Sequence, residues 1–591
     1  MSGIRLGTRT DGKAVFLPDG ARATHLQVIG ASGTGKTKFL EQLIREDILA
    51  GNGLCLIDPT GNLYHDLLRW AETKGFLGRK PIVLFDPASP DWSFGFNPLD
   101  FTNGPHEDIS FLVDAMVKAC AAVWGGEDTN KTPLLKRCLR AIFHVLAERR
   151  LSLLEAVYLV NPQDPTGIRR LLTREIDDFI IREQWDSFNP MRPREFQETF
   201  SSATNRLLEF LASERIRRIL GQRTNTLSFR ELMDRGGMVL VNLSSGRALS
   251  EANASLLGAL LVNDLFLKAR GRPKGSRPFF VYIDECSRFV SEDIGRILDE
   301  GRQFGLHLIL AHQHLSQLKR AGEAVYGAVL TDARTKVVFG GLSPEDAETM
   351  ADLLYMGELD FEEAKTSLNK PVTVGHAIRW FENESATRSR SESESTGRTV
   401  TRGTSTSTTR SRGRSQSDGW SDAPGSGWDL PSAPNRNGSA GTSTGTSVAT
   451  GISASEAEST SRSVSLGRSE AHGRSEGLLP ILEVLPTAVF SLEEQRHRKA
   501  ALLRNLRRQE AVVKMPERES IAFRAARVVP GVANPERVER FKRDTFLRSP
   551  FAKPVQAVDA LLRSRRRNLE QRAAEAATGA GEPHDPDDFL E

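Results

Sequence analysis

HLQVIGASGTGKT, residues 25–37, runs from four mostly apolar residues, Leu26–Ile29, into Gly30-Ala31-Ser32-Gly33-Thr34-Gly35-Lys36-Thr37. The spacing is G-x-x-x-x-G-K-[ST], that of a phosphate-binding loop. Its glycines let successive backbone N–H groups turn inward on a polyphosphate. The amphipathic run Phe39–Leu49 predicts a helix behind the loop, whose N-terminal dipole end adds positive potential. In that setting Lys36 reaches the β- and γ-phosphates and the Thr37 hydroxyl sits on Mg²⁺. A bare Gly/Lys match arises easily by chance. The strand before it and the helix after it make nucleotide binding the expectation here.

On either side of this loop the chain alternates strand and helix. Leu54–Ile57 is a buried strand ending in Asp58-Pro59-Thr60-Gly61-Asn62, helix Tyr64–Thr73 follows, and Pro81–Phe85 is a third strand. The alternation resumes with strand Met238–Leu243, helix Glu251–Lys268, strand Pro278–Ile283, helix Ile294–Phe304 and strands Leu306–Leu310 and Lys336–Phe339. This is the pattern of an α/β fold with a mainly parallel sheet covered on both faces. Between the two halves, from about Glu107 to Gly221, only helical patterns occur, too many residues for a simple crossover. They predict an all-α insertion domain, arginine-rich near its end (Arg206, Arg215, Arg217, Arg218, Arg223).

From Ser385 to about Glu476 the chain turns to Ser, Thr, Arg, Gly and Glu with almost no large apolar residues. Such a segment cannot bury enough surface to offset its ordering entropy, and disorder is expected, with a spacer as the simplest role. After it, Ser491-Leu492-Glu493-Glu494 is a capping box opening a helix, and Ala511–Lys514 reads as a short strand. A helix near the end carries the basic run Arg563–Arg567, which reads equally well as a phosphate contact or as a solvated helix face. The expected division is 1–106 and 222–384 for the α/β domain, 107–221 for the insertion, 385–476 for the low-complexity segment and 477–591 for a mostly helical C-terminal segment.

Composition narrows the classes less than the motifs do. The chain has 591 residues, 39% of them hydrophobic, enough for a sizeable core. A net charge of +3 does not by itself announce a nucleic-acid binder, though basic residues can still cluster locally. The four cysteines, Cys55, Cys120, Cys138 and Cys286, form no C-x-x-C pair, so neither a zinc site nor a disulfide framework is suggested. No signal peptide and no apolar run of about 18 residues is visible, which predicts a cytoplasmic protein without an intrinsic membrane segment.

A phosphate loop alone implies binding and not hydrolysis. Asp284-Glu285 follow the apolar strand at once. At the carboxyl end of a parallel strand Asp284 can hold Mg²⁺, and Glu285 can accept a proton from an attacking water. The plainer reading is a pair of turn acids capping the next helix, which the buried character of FFVYI argues against. Gln313 follows strand LHLILAH, where its amide can hydrogen-bond the water or sense the γ-phosphate. Arg302 lies before Gly305 on the preceding helix and can complete a neighbouring subunit's site as an arginine finger. Either residue also reads as an ordinary polar residue on the surface. His312 and His314 have no metal-ligand spacing and read as polar loop residues.

The stretches HLQVIGASGTGKT, LCLIDPTGNL, FDPASPDWSFGFNPLD, RGGMVLVNLSSG, FVYIDECSRF, DEGRQFGLHLILAHQ and TKVVFGGL together resemble the FtsK–HerA superfamily of ring-forming motor ATPases. Within it they are most similar to the DNA-binding ATPase domain of the TraD/TraG-like coupling proteins of conjugation and type IV secretion. The resemblance covers about residues 5–380, and SLEEQRHRKAALLRNLRRQEAVVK resembles that group's C-terminal segment. It implies a RecA-like fold and a homo-hexameric, ATP-driven DNA translocase. By it, residues 30–37 and Asp284 bind Mg-ATP, Thr37 and Asp284 hold the metal, Glu285 activates water, Arg302 acts in trans and Gln313 senses the nucleotide. Two features depart from the group's pattern. Its N-terminal membrane helices are missing, and Thr60 and Asn62 replace the His and Asp of the usual turn. A recruiting protein, relaxosome-like or a nuclease, is therefore a candidate partner. The alternatives are a HerA-like motor paired with a nuclease, and an ATP-gated receptor for protein substrates.

Overall fold

The computed structural model describes residues 3–76, 82–100, 109–124, 133–246, 249–289, 294–359, 369–396, 460–486 and 490–578. They fall into two units, Met1–Asp360 with Leu492–Glu591, and Phe361–Ser491.

The first unit is built on an 11-stranded sheet. Its strands in chain order are β1 (Gly3–Thr8), β2 (Ala14–Pro18), β3 (Leu26–Ile29), β4 (Gly53–Asp58) and β5 (Ile82–Phe85), then, after a short strand β6 (Trp92–Phe94) outside this sheet, β7 (Met238–Asn242), β8 (Phe279–Ile283), β9 (Leu306–His312) and β10 (Thr335–Phe339). Two strands of the second unit, β11 (Asn369–Thr396) and β12 (Thr460–Pro486), intervene before β13 (Glu510–Lys514) and β14 (Ile521–Ala525) complete the sheet. A last strand, β15 (Ala552–Pro554), pairs with β6. The spatial order is β2-β1-β14-β13-β10-β3-β9-β8-β4-β7-β5.

From β10 to β5 every pairing is parallel. These strands are buried along their whole length. That explains their near-continuous apolar sequences, since a sheet covered on both faces has no polar side to alternate with. From β13 to β2 every pairing is antiparallel. Here burial alternates, as in Ile521–Ala525 and Ala14–Pro18, because one face is wet.

The C-terminal segment is thus no appendage. β13 and β14 sit inside the sheet, between β10 and the hairpin of β1 and β2. Val512 and Val513 face Val338 and Val337 across the β13–β10 ladder, all four buried. Five residues with two valines carry too little period to show which sheet they join.

Between β6 and β7 the described chain runs only through helices, the longest being Ile109–Trp124, Pro133–Glu148 and Pro193–Ala212. Their core is aromatic: Phe200 stacks on Phe196 at 4.3 Å and meets Phe188 edge-on at 4.9 Å. Trp185 joins them, its indole N–H donating to the Ala141 carbonyl at 3.2 Å, so the one polar atom of the ring is satisfied. The last helix, Val555–Thr578, packs back on this region through Arg218–Asp559 and Arg565–Glu155. Within the basic run, Arg565 is buried and also donates to Ser152 Oγ, while Arg566 pairs with Glu570 on its own helix. Arg565 thus serves packing, and Arg566 lies on the exposed face of the helix.

In the second unit β11 and β12 form an antiparallel ribbon, in register from Asn369↔Pro486 to Thr396↔Thr460, with a shift between Thr373 and Gly375. Of the low-complexity segment 385–476, residues 385–396 and 460–476 continue this ribbon, and 397–459 fall outside the described residues.

Candidate functional site

The parallel strands all end on one edge, and the residues singled out from the sequence are distributed by that fact. β3 feeds the loop Gly30–Gly35, β4 ends at Asp58, β8 runs into Asp284-Glu285, β9 into Gln313, and β10 into Gly340-Gly341. β9, β8 and β4 follow β3 in order across the sheet, so the loop and the three carboxylates share one crevice.

The loop is clamped from below. Ala31 N–H donates to the Gly340 carbonyl at 3.1 Å, and Thr34 Oγ1 donates to the Ala31 carbonyl at 2.7 Å. A Cβ on Gly30 would lie 2.5 Å from Phe339 Cβ, so only glycine fits there. Gly35 has φ +120°, ends the loop and starts the helix Lys36–Ala50. The first N–H groups of that helix have no intrahelical acceptor and are available to an anion. Ser32 and Gly33 are exposed at the tip, while Thr37 is half-buried in the first turn.

Lys36 is 6% exposed. Its Nζ donates to the Gly30 carbonyl at 2.5 Å and to the Ala31 carbonyl at 3.1 Å, folded back over the loop. Burial lowers its pKa, and the charges of Glu285 and Asp284 oppose that effect. Asp284 is 3% exposed, and its pKa is pushed up to about 7, first by burial, then by the charges of Asp58 and Glu285. The crevice therefore concentrates negative charge that a cation would relieve, and this fits a Mg²⁺-nucleotide held with few protein ligands. Among the described residues no cluster of three or more His, Cys, Asp and Glu forms a ready-made metal cage.

Glu285 has φ +46° and ψ +51°, a left-handed conformation that costs a non-glycine residue about 1 kcal/mol or more. Its N–H donates to Asp284 Oδ1 at 3.1 Å. Gln313 Nε2 donates to Glu285 Oε1 at 2.7 Å, joining the ends of β8 and β9. Gln313 is in turn held by Gln317, whose Oε1 accepts from the N–H of Gln313 at 3.0 Å and of His314 at 3.2 Å.

Arg302 is not brought to this edge. It lies in the turn Gly301–Phe304 before β9, exposed, about 20 Å along the strand from Gln313. Its charge is felt by His25 and His307, which stand at the starts of β3 and β9.

Several residues of the crevice are not obvious from sequence. Asp58 is fully buried: Thr60 N–H and Oγ1 donate to its Oδ1 at 2.9 and 2.8 Å, and Tyr64 N–H to its Oδ2 at 2.8 Å. The departure at Thr60 thus supplies a hydroxyl that ties the turn to β4. Gln509, at φ +68°, donates its N–H to the Thr34 carbonyl at 2.8 Å and covers Gly35 from the C-terminal segment. No local signal marks a contact spanning so much of the chain. His312, read as a loop residue, is instead the last residue of β9 and fully buried. His314 is the polar loop residue expected, with Nδ1 3.7 Å from Asp346.

Comparison with known families adds one match. Residues 152–384 match the type IV secretion-system coupling protein DNA-binding domain. The resemblance to the coupling-protein group holds over this stretch. It runs from the helical region into β11 and includes Asp284, Glu285, Arg302 and Gln313, whereas the phosphate loop and strands β12 to β15 lie outside it. Among solved structures the chain is similar to the bacterial conjugative coupling protein TrwBdeltaN70 in an unbound form, at 15% identity over 90% of this chain and 91% of that one, TM-score 0.47. It is similar to the plasmid coupling protein TrwB in complex with ADP and Mg²⁺, at 16% identity over 91% and 98%, TM-score 0.45. A more distant likeness is VirB4 of Thermoanaerobacter pseudethanolicus, at 14% identity over 61% and 89%, TM-score 0.37. No curated protein matches the chain. Among the described residues no helix is long and apolar enough to cross a membrane.

Proposed function

We propose that this chain is an ATP-hydrolysing DNA motor of the conjugative coupling-protein type, working as a homo-hexameric ring. The observation that carries the hydrolytic part is the meeting of Lys36, Asp284, Glu285 and Gln313 in one crevice, with Glu285 fixed by Gln313 at 2.7 Å. The coupling-protein match over residues 152–384 carries the assignment to DNA.

In this reading the N–H groups of residues 31–37 and the Lys36 ammonium hold the triphosphate, and Lys36 exchanges its own loop carbonyls for phosphate oxygens. Thr37 and Asp284 would hold Mg²⁺, which would supply positive charge for the phosphoryl oxygens. Gln313 occupies Glu285 Oε1, and Oε2 takes the proton of the attacking water. Arg302, exposed on the far edge of its own sheet, serves the neighbouring subunit's γ-phosphate. The TrwB structure bound to ADP and Mg²⁺ is consistent with that cofactor choice.

The test is steady-state ATPase activity with and without DNA at fixed salt, with Glu285→Gln as control. Salt is fixed because phosphate contacts weaken steeply as it rises. Stimulation by DNA that disappears in the variant supports the motor. Hydrolysis that depends on Glu285 but ignores both single- and double-stranded DNA would overturn the DNA assignment and favour a protein-substrate receptor.

A further inference from the structure

Beneath the crevice, three buried polar side chains form a chain whose polarity has only one solution. Lys336, on β10, is 6% exposed. Its Nζ donates to the Leu330 carbonyl at 2.7 Å, the Ala333 carbonyl at 3.0 Å and Gln27 Oε1 at 3.2 Å. An ammonium has three donors and no acceptor, so Gln27 must turn its oxygen to Lys336. That leaves the Gln27 amide nitrogen facing His312 Nε2 at 3.0 Å. An amide nitrogen only donates, so His312 Nε2 must accept and carries no proton. A neutral imidazole with a bare Nε2 has its proton on Nδ1. His312 Nδ1 stands 3.2 Å from the His314 carbonyl, which can only accept. Gln27 and His312 are both fully buried, so no bulk water competes for these atoms.

The far end of this chain is the turn that carries Gln313. His312 fixes the carbonyl of residue 314 from one side, and Gln317 fixes the N–H groups of residues 313 and 314 from the other. Gln313 sits between them and reaches Glu285. We propose that Lys336, Gln27 and His312 are positioning residues, a relay that sets the Nδ1–H tautomer of His312 and so holds Gln313 against Glu285. The inference rests on the reading of Glu285 and Gln313 as the pair that handles water. It assigns to a lysine on β10 a role in the chemistry at the ends of β8 and β9. Burial, which lowers the His312 pKa to about 3, keeps the ring neutral, and a neutral ring is what the relay needs.

The first measurement is ¹⁵N NMR of the full chain with labelled histidine, assigned through a His312→Leu sample. Protonated Nδ1 and bare Nε2 are expected for His312. A proton on Nε2 in the unaltered protein overturns the proposal outright. The second uses Gln27→Glu, nearly isosteric, which keeps an acceptor for Lys336 but puts an acceptor where His312 met a donor. His312 should then shift to the tautomer with Nε2 protonated and Nδ1 bare, losing its bond to the residue-314 carbonyl; kcat should fall by about ten- to a hundredfold through misplacement of Gln313, and the KM for ATP should stay within about twofold. Unchanged kcat in Gln27→Glu, with Nε2 protonated and Nδ1 bare, refutes the relay, and so does a doubly protonated ring with kcat lowered about tenfold or more. Glu285→Gln separates the two levels. If it abolishes turnover while Gln27→Glu does not, only the relay fails; if Glu285→Gln itself turns over normally, the reading of the site fails.

Discussion

Replacing Asp284 by Asn should stabilise the protein while disabling it, and the size of the gain can be worked out. Asp284 is 3% exposed, and burial with the nearby charges of Asp58 and Glu285 pushes its pKa to about 7 from an ordinary 3.8. The folded state therefore binds the proton more tightly than the unfolded chain does. Between these two values the folded state holds more protons, so stability falls as pH rises. Below the unfolded pKa there is no penalty, and above the folded one the penalty is complete. Three units at 1.36 kcal/mol each amount to about 4 kcal/mol at pH 8 and about 2 kcal/mol at pH 5. Asparagine carries no charge, and its Oδ1 still accepts from Glu285 N–H, so it should recover this penalty. For a unit of several hundred residues, where roughly 1 kcal/mol moves Tm by a degree, the variant should melt about 4 °C higher at pH 8. The assay is thermal unfolding of both proteins from pH 4 to 8, with EDTA and without nucleotide. A gain that grows with pH and levels off above 7 supports the reasoning. A loss of stability, or a gain indifferent to pH, would refute the picture of Asp284 as a carboxyl waiting for a cation.

Glu285→Gln should keep nucleotide binding, measured by fluorescent-nucleotide titration, while turnover drops by about a hundredfold or more through loss of the proton acceptor. Arg302→Ala should leave nucleotide affinity nearly intact and cut turnover by about a thousandfold in the assembled ring. Mixing it with Lys36→Ala subunits should restore activity at the junctions that pair an intact loop with an intact arginine. Normal hydrolysis by the assembled Arg302→Ala protein would sink the finger assignment. Gly30→Ala places a methyl 2.5 Å from Phe339 Cβ and should cost about 1–3 kcal/mol, read as a lowered Tm together with weakened nucleotide binding. A chain ending at residue 491 loses β13 and β14 from between β10 and β1, so it should be insoluble where the full chain is not. A soluble, cooperatively folding truncation would show the sheet does not need them.

The loop and the acids after β8 stood out in the sequence as candidates before any contact was known. Glycine spacing, a lysine and a threonine at 36 and 37, and acids directly after FFVYI are local patterns, and local patterns are what backbone conformation and strand burial impose on a chain. That Gln313 follows a strand was readable; that its amide lands on Glu285 was not, since this depends on β8 and β9 being neighbours. The place of Arg302 at the far edge follows from the parallel direction of β9, which puts the start and end of one strand on opposite sides of the sheet. Only the tertiary structure decided the fate of residues 510–525. Their short runs carry no label for a partner strand, and the pairing of β13 with β10 and β14 spans a long intervening segment that no local pattern can bridge. Likewise, nothing near Gln27 or Lys336 in the sequence marks them as polar groups in a core. Their meaning is relational: each is fixed by the donor or acceptor that the fold places opposite it.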